Sequence, residues 1–74
     1  MVYESANDLA CHCTALVRRG KSFSSVWGAV LKSHPLVEGI PHERLEHQRK
    51  LLCVPLVTGE YLIFDCNVGK FSIE

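Results

Sequence analysis

Three stretches decide the fold: Leu51-Leu52-Cys53-Val54-Pro55-Leu56-Val57, Glu60-Tyr61-Leu62-Ile63-Phe64-Asp65 and Lys70-Phe71-Ser72-Ile73-Glu74. Each is short, rich in branched or aromatic side chains, and bounded by turn formers. The third alternates apolar and polar residues, the period of a strand. Thr58-Gly59 and Cys66-Asn67-Val68-Gly69 supply the turns. Consecutive strands joined so tightly pair antiparallel, so a three-stranded meander is predicted. Pro55 has no N–H for a ladder and places the first strand at an edge there, or at a bulge.

Upstream the period changes to that of a helix. Ser5-Ala6-Asn7-Asp8 resembles a capping box with Asp in place of Glu. Leu9, Cys13, Leu16 and Val17 recur at helical spacing, Arg18 and Arg19 suit the negative end of the helix dipole, and Gly20 is a stop. A second helix is capped by Ser22 or Ser24. It carries Phe23, Val26, Trp27, Val30, Leu31 and His34 on one stripe and ends before Pro35. Its back face, Ser25, Gly28, Ala29 and Lys32, is small and nearly uncharged. Between helices and strands, Pro41 suits a first helical turn, and His42 to Lys50 is rich in helix formers with only Leu45 apolar. That segment reads as a short solvated helix or an irregular loop.

The class is therefore α+β: two amphipathic helices, then a short third helix or a loop, followed by a three-stranded antiparallel meander in a single domain spanning 1–74. The expected core is Leu9, Cys13, Leu16, Val17, Phe23, Trp27, Val30, Val54, Leu56, Ile63, Phe71 and Ile73.

Composition narrows the function classes. With 74 residues, 47% of them apolar and 22% charged, the chain has enough apolar content for one lean core and is not a disordered tail. No apolar run approaches the roughly 20 residues of a membrane helix. Met-Val-Tyr-Glu-Ser lacks the features of a signal peptide, so a cytoplasmic protein with reduced thiols at Cys11, Cys13, Cys53 and Cys66 is expected. Eight basic and eight acidic side chains give zero formal charge, which argues against strong phosphate binding.

Tests for chemistry fail one by one. Cys11 and Cys13 lie on one helix about 160° apart and cannot grip one ion together. His42 and His47 miss the zinc-protease spacing by one residue, which puts them about 140° apart. Cys11 and His12, adjacent on a helix, point away from one another, so no nucleophile sits beside an oriented base. No phosphate loop or nucleophile elbow follows a strand. The expectation is a non-enzymatic protein with no metal and no cofactor.

The sheet poses a burial problem. If Thr58-Gly59 is a two-residue loop, Leu56 faces Tyr61 and Val54 faces Ile63. One face then carries Leu52, Val54, Leu56, Tyr61 and Ile63; the other carries Leu51, Cys53, Val57, Leu62 and Phe64. Both are apolar, whereas a half-exposed antiparallel sheet shows a polar side. Two helices cover one face. Either the helices wrap the sheet from both sides, or the second face or the outer edge meets a protein partner or a second copy of the chain, closed dimers being the commonest assembly. Leu62 and Phe64 are the leading contact candidates, followed by Ser25, Gly28 and Ala29. The competing reading is a winged-helix-like nucleic-acid binder. In it, the segment Pro41 to Lys50 is the recognition helix, presenting Arg44, Gln48, Arg49 and Lys50, and Thr58-Gly59 tips the wing.

Overall fold

The computed structural model describes residues 5–74; the stretch 1–4, read above for a targeting signal, lies outside the described residues. The first helix, α1 (Ala6–Arg18), begins as the capping motif requires. Ser5 is extended and its Oγ accepts the Asp8 N–H at 3.2 Å, satisfying one of the orphan donors of the first turn. Gly20, at φ 93°, donates to the Val17 carbonyl at 2.9 Å, and Lys21 donates to Leu16 at 3.2 Å. That bond pair is a Schellman closure, and the left-handed backbone it needs explains the glycine.

The second helix, α2 (Phe23–Val26), is capped by Ser22 Oγ, which accepts the Ser25 N–H at 3.2 Å. It runs directly into one π-helical turn, Trp27–Leu31, closed by the Lys32 N–H on the Trp27 carbonyl at 2.9 Å. Helical structure therefore stops short of His34. Val26 and Leu31, five residues apart, are both fully buried, while Trp27 and Val30 are half-buried. The wider turn brings residues spaced by five onto one side.

Four strands follow, not three: β1 (His42–Glu46), β2 (Arg49–Pro55), β3 (Tyr61–Asp65) and β4 (Lys70–Ile73), all antiparallel in the order β1-β2-β3-β4. The segment expected to be a helix or loop is an edge strand instead. Its turn is His47-Gln48, both left-handed at φ 52° and 62°, the geometry of a tight primed hairpin turn. Cross-strand ion pairing supports it: Lys50 Nζ lies 3.0 Å from Glu43 Oε1. β1 reaches beyond the helices, which is why it holds a single apolar residue, Leu45, left 76% exposed.

The register also differs by one residue. Val54 pairs with Leu62 and Cys53 with Ile63, because the β2–β3 connection is a three-residue loop, Val57-Thr58-Gly59, closed by the Leu56 N–H on the Glu60 carbonyl at 2.9 Å. Gly59 takes the left-handed position at φ 90°. A one-residue slip moves every side chain of β3 to the other face. The inner face now carries Leu52, Val54 and Leu56 together with Leu62, Phe64 and Phe71, and it packs against Leu9, Cys13, Val26 and Leu31. Phe23 stacks on Phe64 with ring centroids 5.4 Å apart, and Phe64 meets Phe71 at 4.7 Å. The outer face keeps only three buried apolar side chains, Leu51, Cys53 and Ile63. Pro55 sits where β1 has ended. Its carbonyl accepts the Glu38 N–H at 2.9 Å, and Gly39 passes so close to its ring that a Cβ there would fall 2.9 Å from Pro55 Cγ.

Candidate functional site

The expected contact surface is not on the outside of the molecule. Leu62 is fully buried and Phe64 is 8% exposed, both within the helix-covered core. The register slip is the reason: it moves the two residues from the outer face to the inner one. Ser25, Gly28 and Ala29 are exposed, and a Cβ on Gly28 would meet nothing within 4 Å. They lie on the far side of the helix from Leu62 and Phe64 and share no surface with them.

The nucleic-acid candidates also change their setting. Arg44, Gln48, Arg49 and Lys50 belong to the β1–β2 hairpin, so there is no recognition helix to present them. Three of them are engaged within the chain. Arg44 Nη2 binds Glu74 at 2.8 Å and Glu46 at 3.3 Å, Arg49 pairs with Asp65, and Lys50 pairs with Glu43. The Glu74 hydrogen bond holds the Arg44 guanidinium above its usual pKa, and Glu43 does the same for Lys50. The Arg44 and Arg49 pairs finish the outer face, while Lys50 and Glu43 lie on the other face with Leu45 and Leu52. Arg44 stands across from Leu51, and Arg49 and Asp65 flank it, so long polar side chains rim the short apolar strip.

What the fold builds instead is a groove of about 530 Å³ between α1 and the edge strand β4. The two elements run antiparallel along it. A Cβ on Gly69 would touch Val17 Cγ1 at 3.5 Å at one end, and Thr14 meets Phe71 midway. At the other end Asn7 and Ile73 line the wall. Thr14 is the joint. Its Oγ1 accepts the Phe71 N–H at 3.0 Å and donates to the Ala10 carbonyl at 2.8 Å. A buried hydroxyl satisfied on both sides fixes the helix against the strand edge. Small residues, Ala10 and Ala15, with Phe71 and Ile73, leave the trough apolar.

Arg18 and Arg19 also line the groove, and Lys70 lines it at the strand edge, with its side chain on the outer face beside its cross-strand partner Asp65. Among the described residues neither arginine has an ion-pair partner, whereas Arg44, Arg49 and Lys50 all do. The neutral composition thus hides an internal division: the hairpin cations are compensated and the groove arginines are not. The sequence carried one sign of this, the run from Thr14 to His34 with four basic residues and no acid. The sign could not be read as a groove without knowing that the start of β4 lies beside the end of α1.

The thiols offer no second centre. All four cysteines are unpaired; Cys13 and Cys53 are buried, and Cys11 and Cys66 are exposed. Burial pushes the Cys13 thiol up to about 12 and raises Cys53 as well, so both stay protonated and inert near neutrality. Among the described residues no three His, Cys, Asp or Glu side chains gather as metal ligands, and no helix is long and apolar enough to cross a membrane. No protein-family model, curated protein or solved structure matches the chain.

Proposed function

We propose that this chain is a non-catalytic protein-recognition module whose binding surface is the α1–β4 groove, and that it takes an apolar segment bearing a carboxylate from a partner polypeptide. The observation that carries the reading is the pair of arginines without ion-pair partners, Arg18 and Arg19, at the rim of an apolar trough. Its volume lies in the range of sites that enclose small ligands or a few residues of chain. The apolar floor supplies affinity by burial, and the cations fix which segments are accepted. The small-residue face of Ser25, Gly28 and Ala29 takes second place, because it offers no directional group.

The test is a titration of the isotope-labelled protein with a short capped peptide of leucine, valine and one glutamate, followed by amide chemical shifts. Shifts along α1 and β4 that vanish when the peptide's glutamate becomes glutamine, and when Arg18→Glu is introduced, support the reading. Shifts that instead map to the β1–β2 hairpin, or no shifts at millimolar peptide, overturn it. Duplex DNA at two salt concentrations is the companion measurement: binding that collapses steeply with salt restores the nucleic-acid alternative.

A further inference from the structure

We propose that β1 is the contact between two copies of this chain, which pair antiparallel about a two-fold axis at Leu45 and join their sheets into one. This contact is separate from the groove. The two edges of the sheet are not alike. β4 is closed midway by α1, because Thr14 Oγ1 accepts the Phe71 N–H. Among the described residues β1 pairs with β2 alone, and its Leu45 is 76% exposed. The alternation of the hairpin fixes which backbone groups face out. Glu46 and Arg49 close the two-residue turn and exchange hydrogen bonds, so Glu46, Arg44 and His42 direct their amides and carbonyls toward β2. Leu45 and Glu43 direct theirs away from the sheet. Lys50 agrees with this: it stands opposite Leu45, yet its carbonyl accepts the Cys66 N–H at 3.2 Å on its far side. An edge with open amides is a template for another strand.

The side chains select both the occupant and the register. Opposed residues of an antiparallel pair share a face of the sheet, so a two-fold axis must fall on one of the residues of β1. An axis at His42 or Glu43 sets Pro41, which has no N–H, against an outward-facing residue. An axis at Arg44 opposes two arginines, and one at Glu46 opposes two glutamates. An axis at Leu45 avoids both faults. It opposes the two exposed leucines, and Arg44 of each copy meets Glu46 of the other. These ions also meet at the closer spacing. Arg44 and Glu46 direct their backbone groups to β2, so between copies they form non-hydrogen-bonded pairs, with Cα atoms about 4.5 Å apart. Arg44 has donors to spare: Glu46 and Glu74 of its own chain both meet Nη2, and a guanidinium carries further N–H groups. A second copy supplies this match of charge at one register, and an arbitrary strand does not. The contact is small beside the roughly 1,200 Å² of a stable interface, so the dimer separates on dilution.

The experiment is sedimentation velocity of the full chain at rising concentration, up to the millimolar range, for the parent, Arg44→Glu, Glu46→Arg and an equimolar mixture of the two variants. The parent is expected to dimerise, and each variant alone to associate at least about tenfold more weakly. The mixture should regain association as a heterodimer. One copy then presents two acids and the other two bases, so both cross-copy pairs attract again. Recovery on mixing separates pairing from folding, since neither variant is repaired within its own chain. Amide hydrogen exchange of the parent gives the location: protection of the Leu45 N–H should grow with concentration. A parent that stays monomeric throughout would overturn the second copy as the occupant of this edge. Association untouched by either charge reversal, or a mixture that recovers nothing, would overturn the register. Protection that grows along β4 and not at Leu45 would overturn the choice of edge. None of these measurements involves peptide binding to the groove, so the two proposals fail separately.

Discussion

Thr14 Oγ1 accepts the amide hydrogen of Phe71 at 3.0 Å, and this one contact ties the first helix to the last strand across 57 positions of sequence. β4 is an edge strand, and an edge with open amides invites unwanted pairing. The threonine closes the middle of that edge and sets the spacing of the groove. Thr14→Val keeps the shape and removes the oxygen, leaving the buried Phe71 N–H unsatisfied. The expected loss is about 1–3 kcal/mol. Urea unfolding should show a lower midpoint at unchanged slope, with Thr14→Ser recovering most of it.

Two leucines on the same sheet face should respond very differently to truncation. Leu62 is fully buried under the helices, and Leu45, beyond their reach, is 76% exposed. Leu62→Ala is expected to cost about 2–5 kcal/mol through lost burial and the cavity left behind. Leu45→Ala should stay within about 0.5 kcal/mol of the parent. Equal losses in the two variants would contradict the packing described for β1.

The β1–β2 hairpin turns on His47 and Gln48, both left-handed. Side chains with a Cβ bear a cost of about 1–2 kcal/mol in that region. Replacing the pair by His47→Asn with Gln48→Gly supplies the residues such a turn favours. Thermal unfolding should move upward, by an amount corresponding to about 1 kcal/mol. A downward shift would show that the segment is not a hairpin.

His34 makes stability depend on pH. Its Nδ1 accepts the Leu36 N–H at 3.1 Å where the chain leaves the second helix, and burial lowers its pKa from 6.5. The hydrogen bond also needs that nitrogen unprotonated, which acts in the same direction. A group whose pKa is lower in the folded state binds fewer protons there. Its contribution is therefore complete above the unfolded value and fades as pH falls from about 6.5 through the folded value. Urea midpoints measured between about pH 8 and 5 should decline on the acid side. His34→Asn, which keeps an acceptor but cannot titrate, should flatten the decline.

How much of this was legible in the sequence depends on which interactions decide each element. α1 was readable because local chemistry decides it: a serine cap, an apolar stripe, two arginines and a glycine stop. The three C-terminal strands were readable from their side-chain period. β1 was not, because its residues favour a helix in isolation and it is held by pairing with β2, a partner adjacent only in space. The register was missed for a smaller reason. Thr58-Gly59 suggested a two-residue loop, whereas Gly59 serves as the last residue of a three-residue one. That single position reversed the reading of Leu62 and Phe64. The groove was the least legible of all, since it joins residues 7–19 to residues 70–73 and neither segment names the other.

The wide turn at Trp27–Leu31 gives the chain slack in length. A turn closed five residues back holds one residue more than the α-helical turn it replaces. Removing one exposed residue there, Gly28 or Ala29, would let the turn close four residues back with Val26 and Leu31 still facing inward. A chain shorter by one residue should therefore be tolerated at this turn, which absorbs the loss without retuning the interior.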